Sequence, residues 1–493
     1  MMTKQPYDIA IIGGGVVGGA IAQRLSKYQL SIALIEKEED VAMGTSKANS
    51  GIIHQGYFTT KGSLKEKLSL RSNTLFDEIC PKIDVDFKRI GAIFCATNEK
   101  ELKTLEGELK ESQDRGVQVQ LIQDPQKIHE LEPQLNDSVI AVLHFPKAGI
   151  ITPWELTIGL VEHSIMNGLQ VYLGFEVAYI KREKQIYQIN SVKGDVIQAR
   201  TVINAAGLYA DTIAKMIGDD SFNIFPRRGE YIMFDKNSMP LQKIIFPTPN
   251  VVSKGIVVSP TMHQNFFVGP NANEIDSKEG INTTTQGLNE ILQGGLKLVK
   301  QLPFRKHITN FAGLRASTLV HDFIIQLSKL PHFINVAGID SPGLTSSLAI
   351  AEYVEEILKN ECDYKFIEKR NYLPTRKRQL RYSDLSESEL AQKIRENPQW
   401  GNIICRCELV TEAEIVEACH GLIPITNTDM IKRRLRPGMG RCQGGFCLPK
   451  IMKIISREQG KIYEQVTKMG KNSHIVYKRT KNLCSEVFQG ERL

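Results

Sequence analysis

Tyr7-Asp8-Ile9-Ala10-Ile11-Ile12 is a short apolar, β-rich run, the pattern of a strand buried on both faces. Glycines follow at once, Gly19 to Ser26 then reads as a helix, and Ser31 to Glu36 reads as a second strand closing on an acid. The strand–turn–helix pattern returns twice. Ala199 to Asn204 is a β-branched run that ends in Ala205-Ala206-Gly207 before turning helical, and Phe333 to Ala337 feeds a glycine-bearing turn and the helical stretch Ser346 to Leu358. Between these lie β-rich stretches such as Gly255 to Pro260 and Asn265 to Gly269. The pattern predicts an α/β and α+β chain: a discontinuous Rossmann-like nucleotide domain from residues 1–75, 150–220 and 310–365, and an antiparallel-sheet substrate domain from 76–149 and 221–309. Beyond residue 365 the charged segments Glu368-Lys369-Arg370 and Arg376-Lys377-Arg378 mark a linker over 366–394, before a small helical domain at 395–460 and a basic tail at 461–493.

Composition narrows the class. A chain of 493 residues, 42% hydrophobic and 24% charged, suits two or three globular domains. The net charge of +7 is modest for this size and argues against a nucleic-acid partner. Residues 1–6 are polar and Ile9 to Ile12 runs straight into glycines, so no export signal is expected. No apolar run is long enough to span a bilayer, and the expected location is the cytoplasm, free or peripheral at the inner face of the membrane. Four of the nine cysteines form two tight pairs between Cys405 and Cys447, which in such a chain points to metal ligands rather than disulfides.

The first turn carries chemistry. Gly13, Gly15 and Gly18 satisfy GxGxxG: Gly13 permits the tight turn, Gly15 lets backbone N–H groups approach a pyrophosphate, and Gly18 lets the helix pack on the strand. Glu36, 21 residues after Gly15, is placed to accept hydrogen bonds from a ribose diol. The loop alone leaves FAD and NAD open.

The segment Thr45-Ser46-Lys47-Ala48-Asn49-Ser50-Gly51-Ile52-Ile53-His54 is rich in small and polar residues suited to close approach of a ligand. With the turns at Ala205-Ala206-Gly207 and Ser341-Pro342-Gly343-Leu344-Thr345, it resembles the FAD-dependent D-amino-acid-oxidase superfamily over residues 5 to about 365. The resemblance implies FAD held by Gly13, Gly15, Gly18, Glu36, Thr45, Ser46, Asn49, Ser50, Val177, Ala206, Gly207, Gly343, Leu344 and Thr345. Asn49-Ser50-Gly51-Ile52-Ile53-His54 and Phe311-Ala312-Gly313-Leu314-Arg315 resemble both L-2-hydroxyglutarate dehydrogenases and the A subunit of anaerobic glycerol-3-phosphate dehydrogenases. The chain departs from respiratory glycerol-3-phosphate dehydrogenases at His54-Gln55-Gly56-Tyr57-Phe58-Thr59, where no arginine follows the histidine, so phosphate and carboxylate substrates both stay open.

Oxidising a secondary alcohol with a flavin calls for a base near neutral pKa and an anion clamp. His54 is the candidate base, because imidazole titrates near neutrality, and Arg315 the candidate clamp, because a guanidinium binds an oxyanion through paired hydrogen bonds. The bland readings are a histidine satisfied in the core and an arginine salt-bridged to Asp322 or another acid. Tyr57, Arg228 and Lys254 are secondary substrate candidates. The expected reaction is oxidation of a small 2-hydroxy substrate, sn-glycerol 3-phosphate or a 2-hydroxy acid such as L-2-hydroxyglutarate. An amino-acid oxidase and a non-catalytic electron carrier are the other readings.

Cys405-Arg406-Cys407 and Cys442-Gln443-Gly444-Gly445-Phe446-Cys447 form CxC and CxxxxC across a gap of 34 residues, which holds a helical stretch opened by Thr411-Glu412-Ala413-Glu414. Four thiolates so spaced suit an iron–sulfur cluster or a structural zinc. The segment resembles bacterioferritin-associated-ferredoxin-like domains, which implies a [2Fe-2S] cluster on Cys405, Cys407, Cys442 and Cys447. Electrons would then pass to a partner, an electron-accepting protein subunit.

Overall fold

Ile9 to Ile12 are fully or almost fully buried, as their unbroken apolar character requires, because the strand Tyr7–Ile12 lies between parallel neighbours inside a mixed sheet. A computed structural model describes residues 5–249 and 255–478. Tyr7–Ile12 pairs in parallel with Ile32–Ile35 on one side and Val196–Asn204 on the other. Among the described residues this sheet has eight strands, with Val177–Glu183 and Ile186–Ser191 beyond Val196–Asn204, Gln170–Tyr172 beyond Ile32–Ile35, and Phe333–Ala337 paired to Val196–Asn204 and to Ile324–Leu327. Helices Val16–Leu25, Pro153–Met166 and Gly343–Glu361 accompany it.

A second sheet, nine-stranded among the described residues, is antiparallel there except for one pairing, Ile244–Pro247 with Ala92–Ala96. Its longest pairing joins Phe225–Phe234 to His307–Ser317, in register from Phe225↔Ser317 to Phe234↔His307 with one bulge. The strand therefore runs across residue 310, where the sequence pattern begins the nucleotide domain. Apolar side chains from Phe94, Phe145, Tyr231, Phe246 and Phe267 fill one core of this sheet.

Residues 1–378 form one unit and 379–493 another. The stretch 366–378, at the start of the expected linker, is tied to the first unit: Lys369 N donates to Lys27 O at 2.8 Å, and Arg376 pairs with Glu162 through Nε at 2.7 Å. The second unit opens with helix Glu387–Glu396, then a two-stranded ribbon, Ile403–Cys405 with Val410–Thr411, and helices Glu412–Cys419, Thr428–Leu435 and Leu448–Gln459. Thr411 and Glu414 form the expected capping box. The start of the basic tail packs on this unit, with Lys468 bound to Asp429 at 2.9 Å.

Candidate functional site

The turn after the first strand is shaped by its glycines. Gly13 has φ of +116°, and a Cβ on Gly18 would lie 2.0 Å from Gly13 O, so helix Val16–Leu25 starts hard against the loop. Ser46 Oγ accepts from Val16 N at 2.9 Å, and Glu36 Oε2 accepts from Gly14 N at 2.7 Å. Burial raises the Glu36 carboxyl, and the N–H groups of Glu38 and Gly14 pull it back in part. Glu36 N and Phe175 N bond to Tyr172 O and Glu36 O, each at 2.9 Å, which brings Val177 to the same strand end. Lys37 Nζ lies 3.9 Å over the Tyr209 ring, so the Ala206-Gly207 turn is a neighbour too. The glycine turn, Glu36, Val177 and Ala206-Gly207 thus gather at the carboxyl ends of parallel strands, where open α/β sheets bind nucleotides.

A second group forms where the sheets meet. Thr45 Oγ1 donates to Leu314 O at 2.7 Å, and Ser50 Oγ lies 3.3 Å from Tyr231 Oη. Asn49 turns back on its own loop, its Nδ2 3.1 Å from Thr45 O and its Oδ1 accepting from Gly51 N at 2.9 Å. Gly313 lies so close that a Cβ would sit 1.8 Å from Ala48 O. Thr345, on the first turn of helix Gly343–Glu361, accepts at Oγ1 from His54 N at 2.9 Å. The N-terminus of this helix has no side-chain cap, and Gly343 N bonds to Asp340 O.

His54 Nδ1 is 2.7 Å from Tyr57 Oη. Tyr57, a secondary substrate candidate, is fully buried against Phe94, Phe145 and Phe246, and its hydroxyl orients the imidazole. Burial pushes the Tyr57 phenol up, so it stays protonated.

Arg315 shares a face with its cross-strand partner Arg227, with Gly229 and Gly313, and with the stacked pair Tyr231 and Phe311, whose rings are 4.6 Å apart. Strand alternation turns Arg228, a secondary substrate candidate, to the opposite face, where Nη1 bonds Asn282 at 3.1 Å. Arg227 is the residue on the Arg315 face, and the strand register, invisible in the sequence, decides this. Among the described residues Asp322 does not pair with Arg315; it accepts from Leu64 N and Lys65 N at 2.8 and 3.0 Å at the start of helix Leu64–Lys82. The Arg315 guanidinium donates through Nη1 and Nη2 to Asn271 O, each at 3.3 Å. Burial lowers its pKa, and Tyr231 and Asp340 act in the other direction. Lys254 lies outside the described residues.

In the second unit the thiols stand as two pairs. Cys407 Sγ is 3.7 Å from Cys442 Sγ, and Cys447 donates to Cys405. That bond, with backbone N–H groups of Gly438, Glu408 and Cys407, brings Cys405 down to about 6. Gly444 N and Phe446 N point at Cys442. Thiols lined by backbone donors fit an anionic iron–sulfide group. Among the described residues no three Cys, His, Asp or Glu side chains converge as a single-ion site requires. Cys419 is buried, as are Cys80, Cys95 and Cys362.

These features agree with known proteins. Residues 8–357 match the family described as FAD dependent oxidoreductase, and residues 403–457 match the BFD-like [2Fe-2S] binding domain. The chain belongs to the FAD-dependent oxidoreductase family, and its cofactors are FAD and a [2Fe-2S] cluster. It is 44% identical to a glycerol 3-phosphate dehydrogenase of Caloramator mitchellensis over 97% of this chain and 99% of that protein. A mitochondrial L-2-hydroxyglutarate dehydrogenase of Caenorhabditis elegans is 30% identical, covering 71% of this chain and 92% of that one. The dithionite-reduced, FAD-bound L-α-glycerophosphate oxidase of Mycoplasma pneumoniae superposes with a TM-score of 0.72 at 28% identity, over 76% of this chain and 98% of that chain. Among the described residues no helix is long and apolar enough to cross a membrane.

Proposed function

We propose that this chain oxidises the secondary hydroxyl of sn-glycerol 3-phosphate to the ketone and passes the two electrons through its cluster to a protein acceptor. The observation that carries the reading is the face bearing Arg315, beside the Ser50–Tyr231 contact. It supports a site for a small anion against the loop that the family resemblance assigns to the flavin. Similarity over the whole length to a glycerol 3-phosphate dehydrogenase supports the substrate.

Bound FAD supplies the hydride acceptor, and the cluster supplies one-electron transfer. Arg315 holds the phosphate. His54 takes the hydroxyl proton at Nε2, which requires its Nδ1–H to donate to Tyr57. Thr345 and Asn73 fix the His54 backbone at N and O, at 2.9 and 2.8 Å. The same residues serve a 2-hydroxy acid, a second reading favoured by the missing arginine after His54.

Anaerobic titration decides between them. Glycerol 3-phosphate is expected to bleach the flavin at low concentration, while L-2-hydroxyglutarate, lactate and amino acids leave it yellow. Bleaching by one of the others but not by glycerol 3-phosphate sinks the proposal.

A further inference from the structure

Phe446 is the most exposed large apolar side chain among the described residues, at 83%. A lone exposed phenylalanine means little in itself. This one sits between Gly445 and Cys447, in the turn that joins two cluster ligands, and its own N–H is directed at the Cys442 sulfur. The thiols around it are unequally covered. Cys405 and Cys447 are buried, whereas Cys407 is exposed and Cys442 is partly so. The Cys407–Cys442 edge, 3.7 Å across, is therefore the open side of the thiol set, and Phe446 stands beside it.

The charges on the same segments have one sign. Arg406 lies between two ligands, Arg441 precedes the third, and Lys450 follows the fourth by three residues; all three are exposed. Neither Arg406, Arg441 nor Lys450 makes an ion pair among the described residues. The one carboxylate in 403–411 and 436–450 is Glu408, whose side chain is 3% exposed and bound to Arg436 at 2.9 Å. An aromatic anchor surrounded by a polar, charged rim is the make-up of a protein interface. Placed on the open edge of a redox centre, it also shortens the path for an electron to leave.

We infer that the edge formed by Cys407, Cys442 and Phe446 is the docking face for an acidic one-electron carrier protein, with Phe446 as the apolar anchor and Arg406, Arg441 and Lys450 as the attracting rim. The inference rests on the electron-transfer reading above and adds the site and the partner's charge. Oxidation of one substrate hydroxyl to a ketone releases two electrons and two protons. Each docked carrier takes one electron from the reduced cluster, so two carriers are reduced per substrate.

Holoenzyme binding to oxidised rubredoxin, an acidic one-electron carrier, tests the face, with the basic cytochrome c as the contrast. Calorimetric Kd values for rubredoxin are expected to weaken roughly tenfold in Phe446→Ala and again in Lys450→Glu. Raising salt from about 0.05 to about 0.3 M is expected to weaken wild-type binding severalfold and Lys450→Glu less. Enzyme reduced by dithionite should pass electrons to rubredoxin more slowly in both variants, with the cluster's electron-spin-resonance signal unchanged. Unchanged Kd in both variants overturns the inference, as does tighter binding of cytochrome c than of rubredoxin. So does a third outcome, in which rubredoxin binding holds but electron transfer from substrate-reduced flavin to the cluster fails, because the face then serves the flavin-bearing unit. Dithionite needs no substrate, so a chain that glycerol 3-phosphate does not bleach still reports on docking.

Discussion

Arg315 is held from behind as well as offered in front. Its two terminal nitrogens share the backbone oxygen of Asn271, and the Asn271 side chain is itself gripped. Nδ2 donates to Glu230 and Glu290, each at 3.0 Å, while Oδ1 accepts from Glu230 N at 2.8 Å. Arg315→Ala is expected to lower kcat/KM about a hundredfold, the equivalent of about 3 kcal/mol for a lost charged contact, with FAD retained. Arg315→Lys should recover little, because a lysine cannot match the planar fork. Asn271→Ala keeps the backbone oxygen but releases its anchor, so KM should rise roughly tenfold while kcat changes little; steady-state kinetics with flavin content measured alongside checks all three variants. Arg315 and His54 were legible as candidates in the sequence because each stands in a short local motif. Asn271 and Arg227 were not, since their roles depend on a loop position and a strand register set by residues far away in the chain.

At the scale of elements, close approach and buried charge set the tolerances. Gly313→Ala would drive the His307–Ser317 strand away from the loop at Ala48, an overpacking cost of about 1–3 kcal/mol, visible as a lower Tm and weaker FAD retention. Helix Ala210–Lys215 is tied to its surroundings through Asp211, which accepts from Lys278 at 2.6 Å and from Ile224 N at 3.1 Å. Burial alone would raise the Asp211 carboxyl, but Lys278 and the Ile224 and Thr212 N–H groups outweigh it and hold the carboxyl below its ordinary value. A depressed carboxyl stabilises the fold above its unfolded pKa of about 4, and that stability is lost as pH falls through the lower folded value. Asp211→Asn should therefore cost about 2 kcal/mol near neutrality and progressively less in acid, as denaturant melts at a series of pH values would show. The glycine turn, its flanking strands and the capping box were readable because they are contiguous. The His307–Ser317 strand crosses the expected domain boundary because its partner, Phe225–Phe234, lies some eighty residues earlier (an interval of about 80 positions, well beyond local pattern).

On the scale of the whole molecule, residues 1–378 and 379–493 are separate units. A chain cut after Arg378, which keeps the Arg376–Glu162 contact, is expected to purify yellow and be bleached by substrate, yet to contain no iron or sulfide and to reduce no rubredoxin. A colourless product, or one that loses FAD on gel filtration, would contradict this. Composition pointed to a linker here because 366–378 is strongly charged. The charges are in part spent on buried partners, as in Arg376 on Glu162 with 9% and 14% side-chain exposure, and local sequence does not distinguish a paired charge from a solvated one.

The bond from Thr45 to Leu314 joins the loop proposed to hold FAD to the strand that carries the proposed substrate clamp, one residue before Arg315. On the proposed roles, any coupling through this bond is reciprocal: if FAD at the Thr45–Ser50 loop strengthens anion binding at Arg315, an anion there tightens the hold on FAD by the same factor. The flavin occupancy of a preparation is then expected to track its affinity for substrate, which titrating substrate at several FAD loadings would show.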